Sequence, residues 1–209
     1  LTSDELRKHK VLVLQELLNL YAFDGIQLDF SRHQPTLPIG RQWQHREAAT
    51  AYIAGVRKMC LEMEEKTGRA ILLSVKVPET IAGCNQDGLD VATWAQELLV
   101  DIFVIGARTH TIDVAGFRSI AAGTPIRISA THDAHHSTDG YCSPSLEVFT
   151  GVFSNFWEQG VDFVTVFNWP TAPEEHYSQL DSEGDIIAGT YSQHTEAMFL
   201  IGASETIAN

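Results

Sequence analysis

The chain has 209 residues, 44% of them hydrophobic and 20% charged, which is enough apolar material for one sizeable core. Its formal net charge is -13, from 14 basic against 27 acidic residues, and this balance argues against nucleic acid or an anionic membrane as a partner, because both need Lys/Arg patches. No apolar run approaches the roughly 20 residues of a membrane helix, and the longest stretches, such as Ala70 to Leu73 and Ile102 to Ile105, have the size of strands buried on both faces.

Thr2 or Ser3 can cap a first helix that runs to about Leu20, with Leu6, Val11, Leu14, Leu17 and Leu18 at helical spacing. Phe23-Asp24-Gly25 breaks it, and Ile26 to Phe30 reads as the first strand. Gln42 to Lys66 is a long amphipathic helix with Ala49, Ile53, Val56, Met59 and Met63 on one side, and Gly68 ends it. Ala70 to Val77 is the second strand, stopped by Pro78, and a loop with Asn85 and Asp87-Gly88 follows. Asp90 caps a helix containing Trp94 and Leu98, and Asp101 to Gly106 is the third strand. A short helix spans about Val114 to Ala121 and leads through Thr124-Pro125 to a fourth strand, Ile126 to Ala130. Thr131 to Ser143 reads as a long polar loop, Ser145 to Gln159 as a helix, and Val161 to Asn168 as a fifth strand. Glu174 to Asn209 lacks a clear βα unit, and Ala197 to Ala203 can be a strand or a short helix.

Strands and helices alternate, which is the pattern of a parallel sheet with right-handed crossovers. No Gly-rich phosphate loop follows the first strand, which speaks against a doubly wound sheet. Every strand instead ends in polar or charged residues, as in a (β/α) barrel of TIM type. Such a barrel needs eight strands and typically about 250 residues, whereas five strands are legible here. The expectation is an α/β fold, an incomplete parallel barrel over 1–173, with 174–209 as a C-terminal extension packing on it. An open half-barrel would expose strand edges and an apolar lumen. The missing strands are therefore expected from the rest of a longer chain. The chain opens on Leu1 with no visible signal peptide, and the parent protein is expected to be secreted or periplasmic.

The three cysteines, Cys60, Cys84 and Cys142, show no CxxC spacing, so no zinc motif or disulfide framework is apparent. Cys60 is expected in the core, while Cys84 and Cys142 lie in loops and can pair only if the fold brings them close. Side chains alternate along a strand. If Ile26, Leu28 and Phe30 face the helices, Gln27, Asp29 and Ser31 face the lumen. Asp29 then sits near the mouth, either as a chemical group or as a partner of Arg32 or Lys76 that holds the barrel together. Asp24 is read as structural.

The pattern Asp24-Gly25-Ile26, Leu28-Asp29-Phe30 and Arg32 resembles strand four of glycoside hydrolase-like proteins of the TIM-barrel class. Val75-Lys76-Val77-Pro78, Gly88-Leu89-Asp90-Val91 with Trp94, and Leu99-Val100-Asp101 resemble their strands five and six. Asp133-Ala134-His135-His136 with Asp139-Gly140-Tyr141 resembles their strand-seven loop. Trp157 to Asp162 and Phe167-Asn168-Trp169 resemble the approach to strand eight and its end. The resemblance covers roughly residues 15 to 170 and implies a barrel fold and a carbohydrate-active class, without naming a substrate. Chitinase-like barrels share an acidic pattern that opens on Asp-Gly, and here the sequence departs from it. Ser31 stands at the position of their catalytic Glu and Gln27 at their middle carboxylate, so only Asp29 matches. A Ser cannot protonate a glycosidic oxygen as a carboxylic acid can, which disfavours substrate-assisted chemistry of the chitinase type.

Ordinary glycoside hydrolysis needs two carboxyls, about 5–5.5 Å apart for retention and about 6.5–9.5 Å for inversion. The strand-end carboxylates are Asp29, Glu79 and Asp133. Asp29 with Glu79 is the first candidate pair and Asp29 with Asp133 the second, and Glu79 is otherwise a solvated loop charge. Arg108 and His110 can bind hydroxyls or a carboxylated sugar, or Arg108 can salt-bridge an acid. Arg32, His33, Lys76, His132, His135 and Asn168 complete the expected substrate-binding set. Trp169 is a candidate stacking platform for a sugar ring, or packs under the C-terminal segment. Trp43, Trp94 and Trp157 are expected in the core.

Three functions follow from these residues. The first is a glycoside hydrolase acting on a poly- or oligosaccharide by carboxylate acid/base chemistry, with no cofactor and no metal. The second is a non-catalytic carbohydrate-binding barrel, which the missing Glu at Ser31 favours. The third is a metal-dependent hydrolase using His132, Asp133 and His135, a set whose spacing is not that of a helix-face HxxxH site and which no Cys assists.

Overall fold

A computed structural model describes residues 1–32, 34–106, 109–133, 135–136, 141–142, 146–167, 198 and 200–207. Helix α1 (Asp4–Leu20) starts where Ser3 Oγ accepts the Leu6 amide at 3.3 Å, with Asp4 and Glu5 favourably placed in its first turn. Strand β1 (Gly25–Asp29) follows. A 3-10 turn at Trp43–His45 leads into α2 (Arg46–Thr67), which buries Ala49, Ile53, Val56, Met59 and Met63, the side read from the periodicity. Strand β2 (Leu72–Val77) comes next, then α3 (Ile81–Gln86) and α4 (Val91–Gln96). Strand β3 (Ile102–Ile105), α5 (Val114–Ile120) and β4 (Arg127–Asp133) continue the alternation. The two-residue strands β5 (His135–His136) and β6 (Tyr141–Cys142) pair antiparallel. Helix α6 (Leu146–Glu158) and strand β7 (Phe163–Phe167) follow, and a short helix spans Ser204–Ile207.

The fold class is the expected one: an α/β architecture with, among the described residues, five parallel strands in the order β1-β2-β3-β4-β7. The chain divides into two units. The first is Leu1–Gly106 with Thr111–Ile128, and the second is Ala107–His110 with Ser129–Asn209. In the first, β1 pairs with β2 from Gly25↔Leu72 to Asp29↔Lys76, and β2 with β3 from Ser74↔Ile102 to Val77↔Ile105. The Arg127 amide bonds the Asp101 carbonyl at 3.0 Å, which starts β4 beside β3. In the second, β4 pairs with β7 from Ser129↔Phe163 to Asp133↔Phe167.

Gly25 is required by this pairing, because a Cβ there would come within 2.5 Å of the Leu72 carbonyl oxygen. The helix-facing core of the first unit holds Leu73, Val75, Phe103 and Phe117, and Phe30 packs against Trp94 with the rings tilted and their centroids 5.7 Å apart. Arg57 of α2 forks onto Asp101 at 2.7 and 3.0 Å, and Asp101 also accepts the Leu73 amide at 2.7 Å. That network ties α2 to the amino ends of β2 and β3. No described helix is long and apolar enough to cross a membrane.

Four sequence expectations need adjustment. The stretch from Asn85 to Gly88, read as loop, sits partly in α3, which forms because Thr80 Oγ1 accepts the Gly83 amide at 2.9 Å. The polar segment Thr131-His132-Asp133, also read as loop, continues β4, since its backbone completes the ladder with β7. Trp43 is 41% exposed rather than core, with the Arg46 guanidinium 4.8 Å from its ring centroid. Cys84 is a free, buried thiol that donates to the Pro78 carbonyl, so it holds no disulfide with Cys142. Burial raises the pKa of Cys84, and pushes that of Cys60 up to about 11. Most of the expected extension over 174–209 lies outside the described residues. Within them, Trp157 of α6 donates to the Ile201 carbonyl at 3.0 Å.

Candidate functional site

In the first unit the site is built at the carboxyl ends of β1 and β2. Burial along β1 follows the two-residue period: Gln27 and Asp29 are exposed, while Phe30 just beyond is 5% exposed. The register sets Asp29 directly beside Lys76. The Lys76 ammonium, 4% exposed, lies 3.7 Å from Asp29 Oδ2, whose side chain is 30% exposed. A buried ammonium needs a nearby anion to offset its lost hydration, and Asp29 supplies one while still meeting solvent. The other oxygen, Asp29 Oδ1, accepts the Ser31 amide at 2.8 Å. The Phe30 amide bonds the Lys76 carbonyl at 2.9 Å, which extends the ladder past the end of β1. The Asp29 carboxylate is thus held from both sides. Asp29 also lines a cavity of about 370 Å³ with Lys10, Gln27, Thr36 and Tyr52.

Glu79 lies just past Pro78 at the carboxyl end of β2 and is half-buried, and its carbonyl accepts the Asp113 amide at 2.9 Å. Its charge acts on Asp87, the residue that closes α3. The Asp87 carboxyl has its pKa raised above the usual carboxylate value, chiefly by burial and further by Glu79, against a lowering hydrogen bond from the Gln34 side chain. Gln34 Nε2 also donates to the Phe30 carbonyl at 3.0 Å. Ser31 Oγ is buried without a hydrogen-bond partner, and Arg32 is exposed.

In the second unit, β4 ends in His132 and Asp133, 1% and 0% exposed. The His132 ring touches Phe149 and Phe153 of α6 at centroid distances of 5.9 and 6.2 Å, and His110 at 5.0 Å. His110 itself is exposed, so His132 acts as its apolar-walled backing. On the other face of β4, Ser129 Oγ lies 3.1 Å from Thr165 Oγ1 of β7. The backbone of His135 belongs to β5. His33, Arg108, Asn168 and Trp169, and the His135 side chain, lie outside the described residues. Among the described residues no group of three or more His, Cys, Asp or Glu is arranged to hold a metal ion.

Sequence reasoning placed Asp29, Lys76 and Glu79 at strand ends, where they are. It passed over Asp87. The Asp87-Gly88 pair marked a turn, but nothing in the sequence marked the burial that raises the Asp87 pKa.

No family model and no curated protein matches the chain. Among solved structures, a chitinase from Bacillus thuringiensis is similar at a TM-score of 0.46 and 16% identity, over 68% of this chain and 28% of that one. An N-acetylglucosaminidase of glycoside hydrolase family 18 from Paenibacillus barengoltzii is similar at a TM-score of 0.58 and 13% identity, over 84% of this chain and 74% of that one. The chain therefore spans little more than a quarter of the first structure and about three quarters of the second. The second likeness shows the fold: a parallel (β/α) barrel of TIM type, of which five strands are present among the described residues.

Proposed function

We propose that this chain is part of a glycoside hydrolase that acts on a poly- or oligosaccharide at the carboxyl ends of its strands. The observation that carries this reading is Asp29. It is a solvent-meeting carboxylate oriented by the Ser31 amide and the Lys76 ammonium at the mouth of a parallel strand. Glu79 is the second carboxyl of this unit, and Asp133 at the end of β4 is the alternative. One carboxyl would protonate the leaving oxygen and the other would act as nucleophile or activate water. Arg32 and His33 would bind sugar hydroxyls beside Asp29, while Lys76, expected from the sequence to do so too, is buried and would act by holding the Asp29 carboxylate. His110, backed by His132, would do so in the second unit with Arg108, His135, Asn168 and Trp169. The N-acetylglucosaminidase from Paenibacillus barengoltzii is a consistent precedent on a shared fold.

The strands that complete the barrel would come from further chain. Two features support this. Among the described residues β1 pairs only with β2, and Leu6, Val13, Leu17 and Leu20 form an exposed apolar stripe along α1.

A second reading, a barrel that binds carbohydrate without turning it over, is favoured by Ser31, whose buried hydroxyl occupies the place where the chitinase-like pattern carries an acid. The test is a panel of oligo- and polysaccharides offered to the wild type, Asp29→Asn and Glu79→Gln. Turnover lost in both variants supports the hydrolase, and full activity in one of them removes that residue from the assignment. Glycan binding by the wild type without turnover moves the chain to the second reading. Neither binding nor turnover would end the carbohydrate reading. Turnover abolished by a chelator and restored by zinc would move it to a metal-dependent hydrolase on the His132–Asp133–His135 segment.

A further inference from the structure

The loop after β1 joins the carboxyl end of that strand, where Asp29 sits, to the amino end of α2. It therefore belongs to the same face of the fold as Asp29. A Trp used for packing buries its ring, as Trp94 does at 0% exposure, but Trp43 at the end of this loop does not. Its backbone is nonetheless fixed. Trp43 opens a 3-10 turn in which the His45 amide bonds the Gln42 carbonyl at 3.0 Å. Gly88 packs against the same carbonyl so closely that a Cβ there would lie 2.4 Å from its oxygen, and 2.7 Å from Leu37 Cδ1. The loop after β1 is thus clamped onto the turn that follows α3. The ring is fixed as well, with the Arg46 guanidinium over one face at 4.8 Å from the centroid. Arg46 Nη1 donates to the Trp43 carbonyl at 3.1 Å, and its Nε lies 3.6 Å from Asp90 Oδ2. Asp90 is itself the cap of α4, where its Oδ1 accepts the Thr93 amide at 3.2 Å. Among the described residues nothing accepts from Arg46 Nη2, on a side chain that is 35% exposed. A held indole that meets solvent therefore stands beside a held donor with bonding capacity left.

We propose that Trp43 is a stacking platform for one pyranose unit of a neutral saccharide, with a hydroxyl of that unit accepting from Arg46 Nη2. A pyranose ring presents C–H bonds on its faces and hydroxyls around its edge. The C–H face matches the electron-rich face of an indole, and an edge hydroxyl matches a nearby N–H. Asp90 already offsets the Arg46 charge, so the corner calls for a hydroxyl and not for an anion. Because the ring and the guanidinium are both set before any ligand arrives, little ordering is left to oppose binding. This platform rests on the carbohydrate reading above and does not depend on the role given to Asp29. It adds to that site a binding residue on the loop, where the sequence placed Trp43 in the core.

The experiment is ¹⁵N–¹H NMR on the intact chain, titrated with cellohexaose, xylohexaose and chitohexaose, and with hexagalacturonate as the charged probe. The Trp43 indole N–H is assigned by its absence from Trp43→Phe. At least one neutral hexasaccharide should shift that signal, in the wild type and equally in Asp29→Asn. Trp43→Ala should weaken its Kd about fivefold to tenfold, and Trp43→Phe, which keeps a ring, should recover part of the loss. Urea unfolding supplies the readout for a merely structural role. A Trp43→Ala variant that loses stability yet binds as tightly as the wild type marks a packing residue and overturns the platform. Saccharide binding that leaves the Trp43 indole unshifted, tighter binding of hexagalacturonate than of every neutral probe, or binding of none of the four overturns it too. Turnover separates this inference from the functional one. A chain that binds at Trp43 and turns over no glycan keeps the platform and sinks the hydrolase. Turnover that is lost in Asp29→Asn, with KM and kcat unchanged in Trp43→Ala, does the reverse.

Discussion

Replacing Asp29 with Asn, alone and together with Lys76→Met, measures how much of the Asp29 charge is committed to its neighbour. The amide is nearly the same shape and its oxygen can still accept the Ser31 N–H, so the change is close to a removal of charge. At the observed 3.7 Å the gross attraction between the two unit charges is about 4 kcal/mol at an effective dielectric constant of roughly 20. Two effects reduce it. Lys76 is 4% exposed and has already lost hydration that the pair must offset. Asp29 is 30% exposed, so water screens its side of the pair. The net coupling should be about 1–2 kcal/mol. Asp29→Asn alone should therefore destabilise by about that amount, because it removes the carboxylate charge beside a buried ammonium. In the Lys76→Met background the same change should be nearly free, since a carboxylate that meets solvent can hydrate itself. The assay is urea unfolding of the four proteins at neutral pH, with the interaction energy taken from the double-mutant cycle. A coupling below about 0.3 kcal/mol is indistinguishable from additivity and would refute the ion pair as a fixed feature of the site. Joined to activity, the cycle separates the two roles of Asp29. A group held for chemistry loses turnover in the single and the double variant, whereas a purely structural group regains function once Lys76 is gone.

Three further outcomes follow from named contacts. Gly88→Ala should destabilise the fold by about 3 kcal/mol, because φ is +75° and the new methyl meets the Gln42 carbonyl; a change in unfolding free energy under about 1 kcal/mol would mean that the clamp on the loop after β1 is not tight. Arg57→Met should cost about 2 kcal/mol by urea unfolding, because Asp101 loses both guanidinium bonds and keeps the Leu73 amide in a half-buried place; an unchanged midpoint would contradict that. The pKa of Asp87 is raised in the folded chain, so the native state holds its proton more tightly than the unfolded state does. The stability this gives is fully present below the ordinary value of 3.8 and is lost as pH rises through the higher folded value. Asp87→Asn, which carries no charge at any pH, should therefore gain on the wild type as pH increases across that window, and parallel stability–pH curves for the two proteins would show that burial and Glu79 do not act on Asp87.

The parts of this fold that were legible are those where one local rule decides the outcome. Gly68 and Asp90 end and begin helices, and the apolar run of β3 is largely buried on both faces, whereas β2, expected to be so as well, buries Leu73, Val75 and Val77 on one face and leaves Leu72 37% exposed on the other. β4 shows how that rule fails. Thr131, His132 and Asp133 are polar, so composition assigns them to a loop, yet they are 1%, 1% and 0% exposed and carry the ladder to β7. Polar residues extend a strand when their backbone finds a partner and their side chains find walls, and neither condition is written locally. The same limit applies at the site. Alternation along β1 is enough to aim Asp29, because it needs only the strand's own period. The raised pKa of Asp87 needs more: its burial at the left-handed turn of Gly88 and the charge of Glu79 from the end of β2 must arrive together. A parallel sheet gathers the carboxyl ends of its strands from segments far apart in the chain. The sequence therefore marks which end is polar, while which carboxyls meet there is decided by contacts between loops.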